Sequence, residues 1–180
     1  MFDDIYNIFK VELDGEEFDS DDDALIAANL ALNEIFAERD WKFLLKTQTL
    51  PAGTLSLAGI TDLGKVIDVW AEGSEEPLKK ATFQQRFDST FDYWIDVPNN
   101  TLVLINDEYN NTNLVVDYKY KPDALTDSNT PITVDHLNAL VAYRMGLQYF
   151  RKDQDTTIYN LLVDKEDSTM NLLIAYNESI

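Results

Sequence analysis

Residues Gly59 to Val66 spell Gly-Ile-Thr-Asp-Leu-Gly-Lys-Val, one residue short of the phosphate-binding pattern G-x-x-x-x-G-K-[ST]. In that pattern backbone amides and the lysine surround the phosphates while a Ser or Thr hydroxyl holds magnesium. Val66 has no hydroxyl. The run Val66-Ile67-Asp68-Val69-Trp70 alternates like a strand where the motif needs a helix N-terminus facing the phosphates. The stretch is therefore expected to be a loop with glycines at turn positions, without a nucleotide. His136 is the single histidine. A Ser-His-Asp arrangement would need a nucleophile beside it, but no G-x-S-x-G elbow occurs, and Asp135 reads as a helix-start residue.

With one His and no Cys, metal binding falls to carboxylates, and these show no ligand spacing. The run Glu12 to Asp23 fails the calcium-loop test, because setting Gly15 at the invariant turn position puts Lys10 where the first carboxylate belongs. It reads as a solvated acidic loop leading into a helix. Among 33 acids nothing singles out a pair for glycoside hydrolysis. Trp41, Trp70, Tyr93, Trp94, Tyr118 and Tyr120 could stack on bases or sugars. They fall mostly within strand patterns beside acids, which fits core packing and subunit interfaces better. No catalytic, cofactor-binding or metal residue is expected.

The elements that would position such groups are legible in order. Phe2, Ile5, Tyr6 and Phe9 have helical spacing, with Asp3 and Asp4 at the positive end of the helix dipole. Ser20 followed by Asp23 makes a capping-box-like start for a helix from Asp21 to Glu38. Its core stripe would be Leu25, Ala28, Leu32, Ile35 and Phe36, with Ala24, Ala27, Ala31 and Ala37 allowing a close neighbour. From Trp41 the period becomes two. KFLLKTQTL, KVIDVWA, DYWIDV, TLVLIN and NLVVDYKYK are five candidate strands, DVPNNT is a hairpin turn, and EEPLKKATFQQRF is a short helix or irregular excursion. Short strands with tight turns imply an antiparallel sheet.

The last third carries a helix from about Thr133 to Phe150 and another from about Asp155 to Tyr176, joined by Arg151, Lys152 and Asp153 as an antiparallel hairpin. Between Leu137 and Phe150 the clearly polar residues are Asn138, Arg144 and Gln148, so Leu137, Leu140, Val141, Tyr143, Leu147 and Phe150 belong to a rod that is apolar almost all round. More than one side must be covered. The expectation is that one chain cannot do so and that copies close around the rod. The second helix is amphipathic, with Tyr159, Leu162, Thr169, Met170, Leu173 and Tyr176 on its stripe.

The fold class expected is α+β, a bundle of about four helices with an inserted antiparallel region of about five strands. The divisions are 1–40 for the N-terminal helices, 41–121 for the β region and 122–180 for the helical hairpin, within one 180-residue chain unit. Bulk numbers fit a globular chain, with 45% hydrophobic residues, 12% aromatic and a net charge of -19. Such a charge repels phosphate backbones and argues against gripping DNA or RNA. Residues 1–23 hold ten acids and one base. No apolar run approaches the ~18–20 residues of a membrane helix, and MFDDIYNIFK is acidic where a signal peptide is basic, so a soluble protein made in the cytoplasm is expected.

One ordered set of residues resembles a known family. A helix with Asn33 in ALNEIFAERDWKFL precedes the β region. Tyr118-Lys119-Tyr120-Lys121-Pro122, Leu125-Thr126, Pro131 and His136 then lead into the apolar helix, followed by Asp153 and a final helix with Tyr159 and Met170. This resembles the head-to-tail adaptor (connector) proteins of tailed bacteriophages, and is similar to the variants with a β insertion in short-tailed phages. The resemblance implies a non-enzymatic virion protein at the head–tail junction, made in the host bacterium. It implies a homo-oligomeric ring, usually dodecameric, that docks under the portal, meets tail or nozzle proteins and passes DNA as non-specific cargo. No membrane or cofactor is involved. The family's C-terminal portal contact carries over to Leu172, Leu173, Ile174, Tyr176 and Ile180. The acidic segment Glu12 to Asp23 departs from the family pattern. A different tail or head-completion component is the nearest alternative within structural proteins, and a small acidic enzyme or ligand-binding domain is the alternative outside them.

Overall fold

The computed structural model describes residues 2–13, 15–126, 134, 136–150 and 156–180. Four helices and five strands follow one another in these residues: α1 (Phe2–Glu12), α2 (Asp21–Glu38), β1 (Leu45–Leu50), β2 (Leu63–Ala71), β3 (Tyr93–Asp96), β4 (Thr101–Leu104), β5 (Leu114–Tyr120), α3 (Leu137–Phe150) and α4 (Thr156–Ser179). The class is α+β, with antiparallel strands throughout the two sheets. The chain forms two compact units, a helical one from Met1–Phe43 with Pro122–Ile180 and a β unit from Leu44–Lys121.

In the helical unit α3 packs against α1, α2 and α4. The α1 stripe buries Phe2, Ile5, Tyr6 and Phe9. Burial of each such side chain contributes about 1.5–3 kcal/mol. The Ser20 cap forms as the sequence implies: its hydroxyl accepts from Asp23 N–H at 3.1 Å and donates to the Asp23 carboxylate at 2.8 Å. On α2 the buried residues are Ala24, Ala27, Ala28, Ala31, Leu32, Ile35 and Phe36. Leu25 is only half-buried and Ala37 is exposed, so the apolar stripe turns toward the alanines. The alanine face lets neighbouring helices come close. Gly146 does the same between α3 and α4, where an added Cβ would lie 2.9 Å from Leu162 Cδ1. The pairs Gly146/Leu162 and Arg144/Glu166 run in opposite directions, so α3 and α4 are antiparallel.

Several expectations shift here. Trp41 does not open a strand. It is fully buried, and its indole N–H donates to the Ile35 carbonyl at 2.7 Å, satisfying an orphan acceptor at the end of α2. Lys42–Leu44 is a 3-10 turn before β1. The apolar helix starts at Leu137 rather than near Thr133, because His136 takes a left-handed backbone angle (φ 69°) that a helix cannot contain. Its partner runs on to Ser179, past the expected Tyr176. Thr133, Asp135, Arg151, Lys152, Asp153 and Asp155 lie outside the described residues.

In the β unit, β5 lies between β1 and β2, and β3 and β4 form a separate hairpin. Leu114, Val116 and Tyr118 of β5 alternate into a core with Leu50, Leu57, Val69, Tyr93 and Leu102. On the opposite face Asp117 accepts from Thr47 Oγ1 at 2.6 Å and Trp70 Nε1 at 2.9 Å, tying all three strands together. The DVPNNT turn joins β3 to β4, with Asn100 left-handed (φ 48°) and Asn99 donating to the Asp96 carboxylate at 2.7 Å. The EEPLKKATFQQRF excursion contains one 3-10 turn, Phe83–Gln85.

Gly64 sits at a register shift between β2 and β5, where a Cβ would lie 2.7 Å from the Lys119 carbonyl oxygen. A backbone atom cannot swing aside as a side-chain end can. Gly64→Val is therefore expected to destabilise the β unit by about 1–3 kcal/mol, read as a lower urea midpoint; an unchanged midpoint would contradict the close approach.

Candidate functional site

On α3, Leu137, Leu140, Val141 and Phe150 are buried, while Tyr143 and Leu147 are half-buried. No α3 residue is fully exposed. The expectation that this rod carries more apolar surface than its own chain covers therefore does not hold. Three helices wrap it, and the reason is that the α1 stripe, the α2 alanines and the Gly146 notch each allow close packing.

On α4 the residues carried over for portal docking divide. Leu173 is 0% exposed and belongs to the helical core, not to a docking face. Leu172, the next residue back, is 49% exposed, and Ile180 is also exposed. Ile174 and Tyr176 are half-buried. Leu161 is exposed three turns before Leu172 on the same line of the helix. The end of α4 is pinned, since Asn177 Oδ1 accepts from Lys42 N–H at 2.6 Å. On α2, Ile26 and Leu30 are exposed one turn apart.

The acidic segment is solvated as expected, with Glu16, Glu17, Asp19, Asp21, Asp22 and Asp23 all exposed, and it is also anchored. Glu12 ends α1 and pairs with Lys165, while the Tyr149 hydroxyl donates to Glu16 at 3.1 Å. Phe18 packs 4.9 Å from Phe9 and 5.3 Å from Tyr149, and Lys10 bridges to Glu17 at 2.8 Å. Aromatic contacts hold the loop so that its acids can reach the hairpin. Asp14 lies outside the described residues.

Beside α3 is a pocket of about 330 Å³ bordered by Glu34, Glu38, Arg144, Tyr159 and Glu166. Arg144 Nε donates to Glu166 at 2.7 Å, and its other arm pairs with Glu38. Burial pulls the guanidinium pKa down, but the two carboxylates more than offset it and hold the group charged. Arg144 thus ties α2 and α4 to α3, and with Glu34 the pocket holds three carboxylates against one guanidinium.

Sequence reasoning missed Asn29. Its amide donates to Leu125 O at 3.1 Å and Leu25 O at 3.0 Å, and its carbonyl accepts from Leu125 N–H at 2.7 Å. A polar amide in mid-helix beside an alanine face was the available signal.

The chemical motifs resolve into structure. Gly64 and Lys65 lie within β2, with no helix N-terminus after them. Asp62 accepts from Lys46 Nζ at 2.5 Å and from the Tyr118 hydroxyl at 3.0 Å, and those bonds, the lysine's first, hold its carboxyl below the usual range. Tyr93 is buried, and burial with a smaller effect of Asp68 pushes its phenol up to about 12. Trp41 and Tyr118 are buried, whereas Trp70, Trp94 and Tyr120 are half-buried. His136 is exposed just before α3, its carbonyl accepting from Leu140 N–H at 3.0 Å. Among the described residues no three His, Asp or Glu side chains converge as a metal site would require. No helix in them is long and apolar enough to cross a membrane.

Exposed aliphatic side chains thus remain on α1, α2 and α4, over a helical core the chain fills by itself. Residues 2–171 match the family model described as SU10 adaptor protein, and the chain belongs to that family of phage head-to-tail adaptors. A comparison with curated proteins finds no match.

Proposed function

We propose that this chain is a non-enzymatic component of a tailed-phage virion that assembles as a ring beneath the portal, joins capsid to tail and leaves an axial passage for DNA. The observation that carries the reading is the family match over residues 2–171. Charge supports it. The β unit holds seven bases and eleven acids, net -4, which leaves -15 of the total -19 on the helical unit. A wall of that sign repels phosphates and lets DNA slide without sticking. The portal contact is assigned to the outer face of α4 around Leu172, with Ile180 beyond the helix. Leu173 is excluded by its burial.

Size-exclusion chromatography with light scattering tests this on the full chain, alone and mixed with the portal protein of the same phage. Several copies are expected to co-elute with each portal assembly. A chain that stays monomeric and leaves the portal mass unchanged would overturn the reading.

A further inference from the structure

The β unit contains an apolar groove of about 450 Å³ whose lining includes Leu57, Leu63, Ile95 and Val97 together with Lys65 and Lys80. Not one of its lining residues is acidic, although the chain carries 33 acids. Phe83 forms part of the wall, and the Arg86 guanidinium lies 3.8 Å over its ring, which brings a third cation to the lip. Val97 and Phe83 are largely exposed, so the groove is open to a large partner. Its chemistry asks for aliphatic side chains accompanied by a carboxylate.

One helix of this chain offers that combination. On α2, Ile26 is 66% and Leu30 50% exposed. Among the helices of the described residues this is the one pair of large aliphatic side chains exposed one turn apart. Asp22, also exposed, lies one turn before Ile26 on the same face. An amphipathic face of this kind is what helix-in-groove recognition uses.

We propose that, within the ring proposed above, the α2 face carrying Asp22, Ile26 and Leu30 of one copy seats in the β-unit groove of the next copy. The inference rests on the ring reading. Seating removes two aliphatic side chains from water against an apolar wall and brings Asp22 to a lysine-lined rim. Because the two surfaces differ, the contact is head-to-tail, so it propagates from copy to copy instead of ending as a two-fold dimer, as the proposed ring requires.

The chain has no cysteine, so Ile26→Cys and Val97→Cys, both at exposed positions, give clean cross-linking sites. The assembled protein, alone or on portal, is treated with a short bis-maleimide and run on a denaturing gel. The double variant is expected to give a ladder from dimer upward, an equal mixture of the two single variants a dimer and nothing larger, and each single variant alone only monomer. Lys80→Asp is expected to reduce the ladder several-fold, and adding Asp22→Lys to restore it. Dimers from Ile26→Cys alone, no ladder from the double variant, or indifference to Lys80→Asp would each overturn the proposal. A ring seen by light scattering without the 26–97 cross-link sinks this contact and spares the adaptor reading, whereas a chain monomeric with and without portal sinks the reading itself.

Discussion

Trp41→Ala is expected to lower the stability of the helical unit by about 3–5 kcal/mol, the range for truncating a fully buried tryptophan. That would move its thermal transition down by roughly 10–20 °C. The effect has two sources. The indole is 0% exposed, so alanine leaves a cavity at the end of α2. Its N–H is also the donor that satisfies the Ile35 carbonyl, which becomes an unpaired buried acceptor once the ring is gone. Trp41→Phe keeps most of the apolar burial and loses only the donor, so an intermediate loss is expected. Calorimetry on the two variants separates the contributions. A Trp41→Ala protein that melts with the unmodified chain would show that this residue does not close the end of the helix.

Leu172 and Leu173 should respond in opposite ways, although they are neighbours with the same side chain. Leu173→Ala removes a core side chain from the α4 stripe and is expected to destabilise the fold by about 2–5 kcal/mol. Leu172→Asp alters an exposed position, so its stability is expected to stay within about 0.5 kcal/mol of the original. Its effect should fall on docking. A central interface residue replaced by a charge costs on the order of 2 kcal/mol or more, so portal retention is expected to drop at least tenfold. Portal pull-down alongside urea unfolding reads both quantities. Equal portal binding by Leu172→Asp would remove the outer face of α4 from the docking surface.

The contrast between these leucines shows what could be read from sequence and what could not. A stripe identified by spacing alone fixes which residues share a face only to within a residue or so, because about 3.6 residues per turn leave adjacent positions about 100° apart. The buried partner of Leu173 at the end of α4 proves to be Asn177, with Tyr176 half-buried. No hydropathy pattern signals an asparagine whose role is to accept from a backbone amide 135 positions away.

Strands were legible because alternation is local. Tyr93–Asp96 and Thr101–Leu104 fall within the stretches that alternation marks, and the Asn-rich turn between them needs the left-handed angle that Asn100 adopts. Strand order was not legible. Nothing in NLVVDYKYK says that this last strand inserts between the first two, since that is decided by which faces bury together in the β core. The apolar rod of α3 was recognised, but its need for outside copies was overstated. Alternation and periodicity count apolar positions without counting how closely small residues such as Ala27, Ala31 and Gly146 let covering helices approach. The acidic segment is solvated as its composition implies, but its anchor was not legible: Phe18 packs against Phe9 and Tyr149, the latter a contact across more than a hundred residues.

Copies of this chain are expected to form a ring at the junction of head and tail. Electron cryomicroscopy of virions of the phage that encodes it, averaged about the tail axis, tests this most directly. The expected result is a closed ring of this helical unit coaxial with the portal and immediately beneath it, with the face around Leu172 toward the portal. Density at that junction into which neither the helical unit nor the β unit fits, or copies of the chain located elsewhere in the particle, would contradict it.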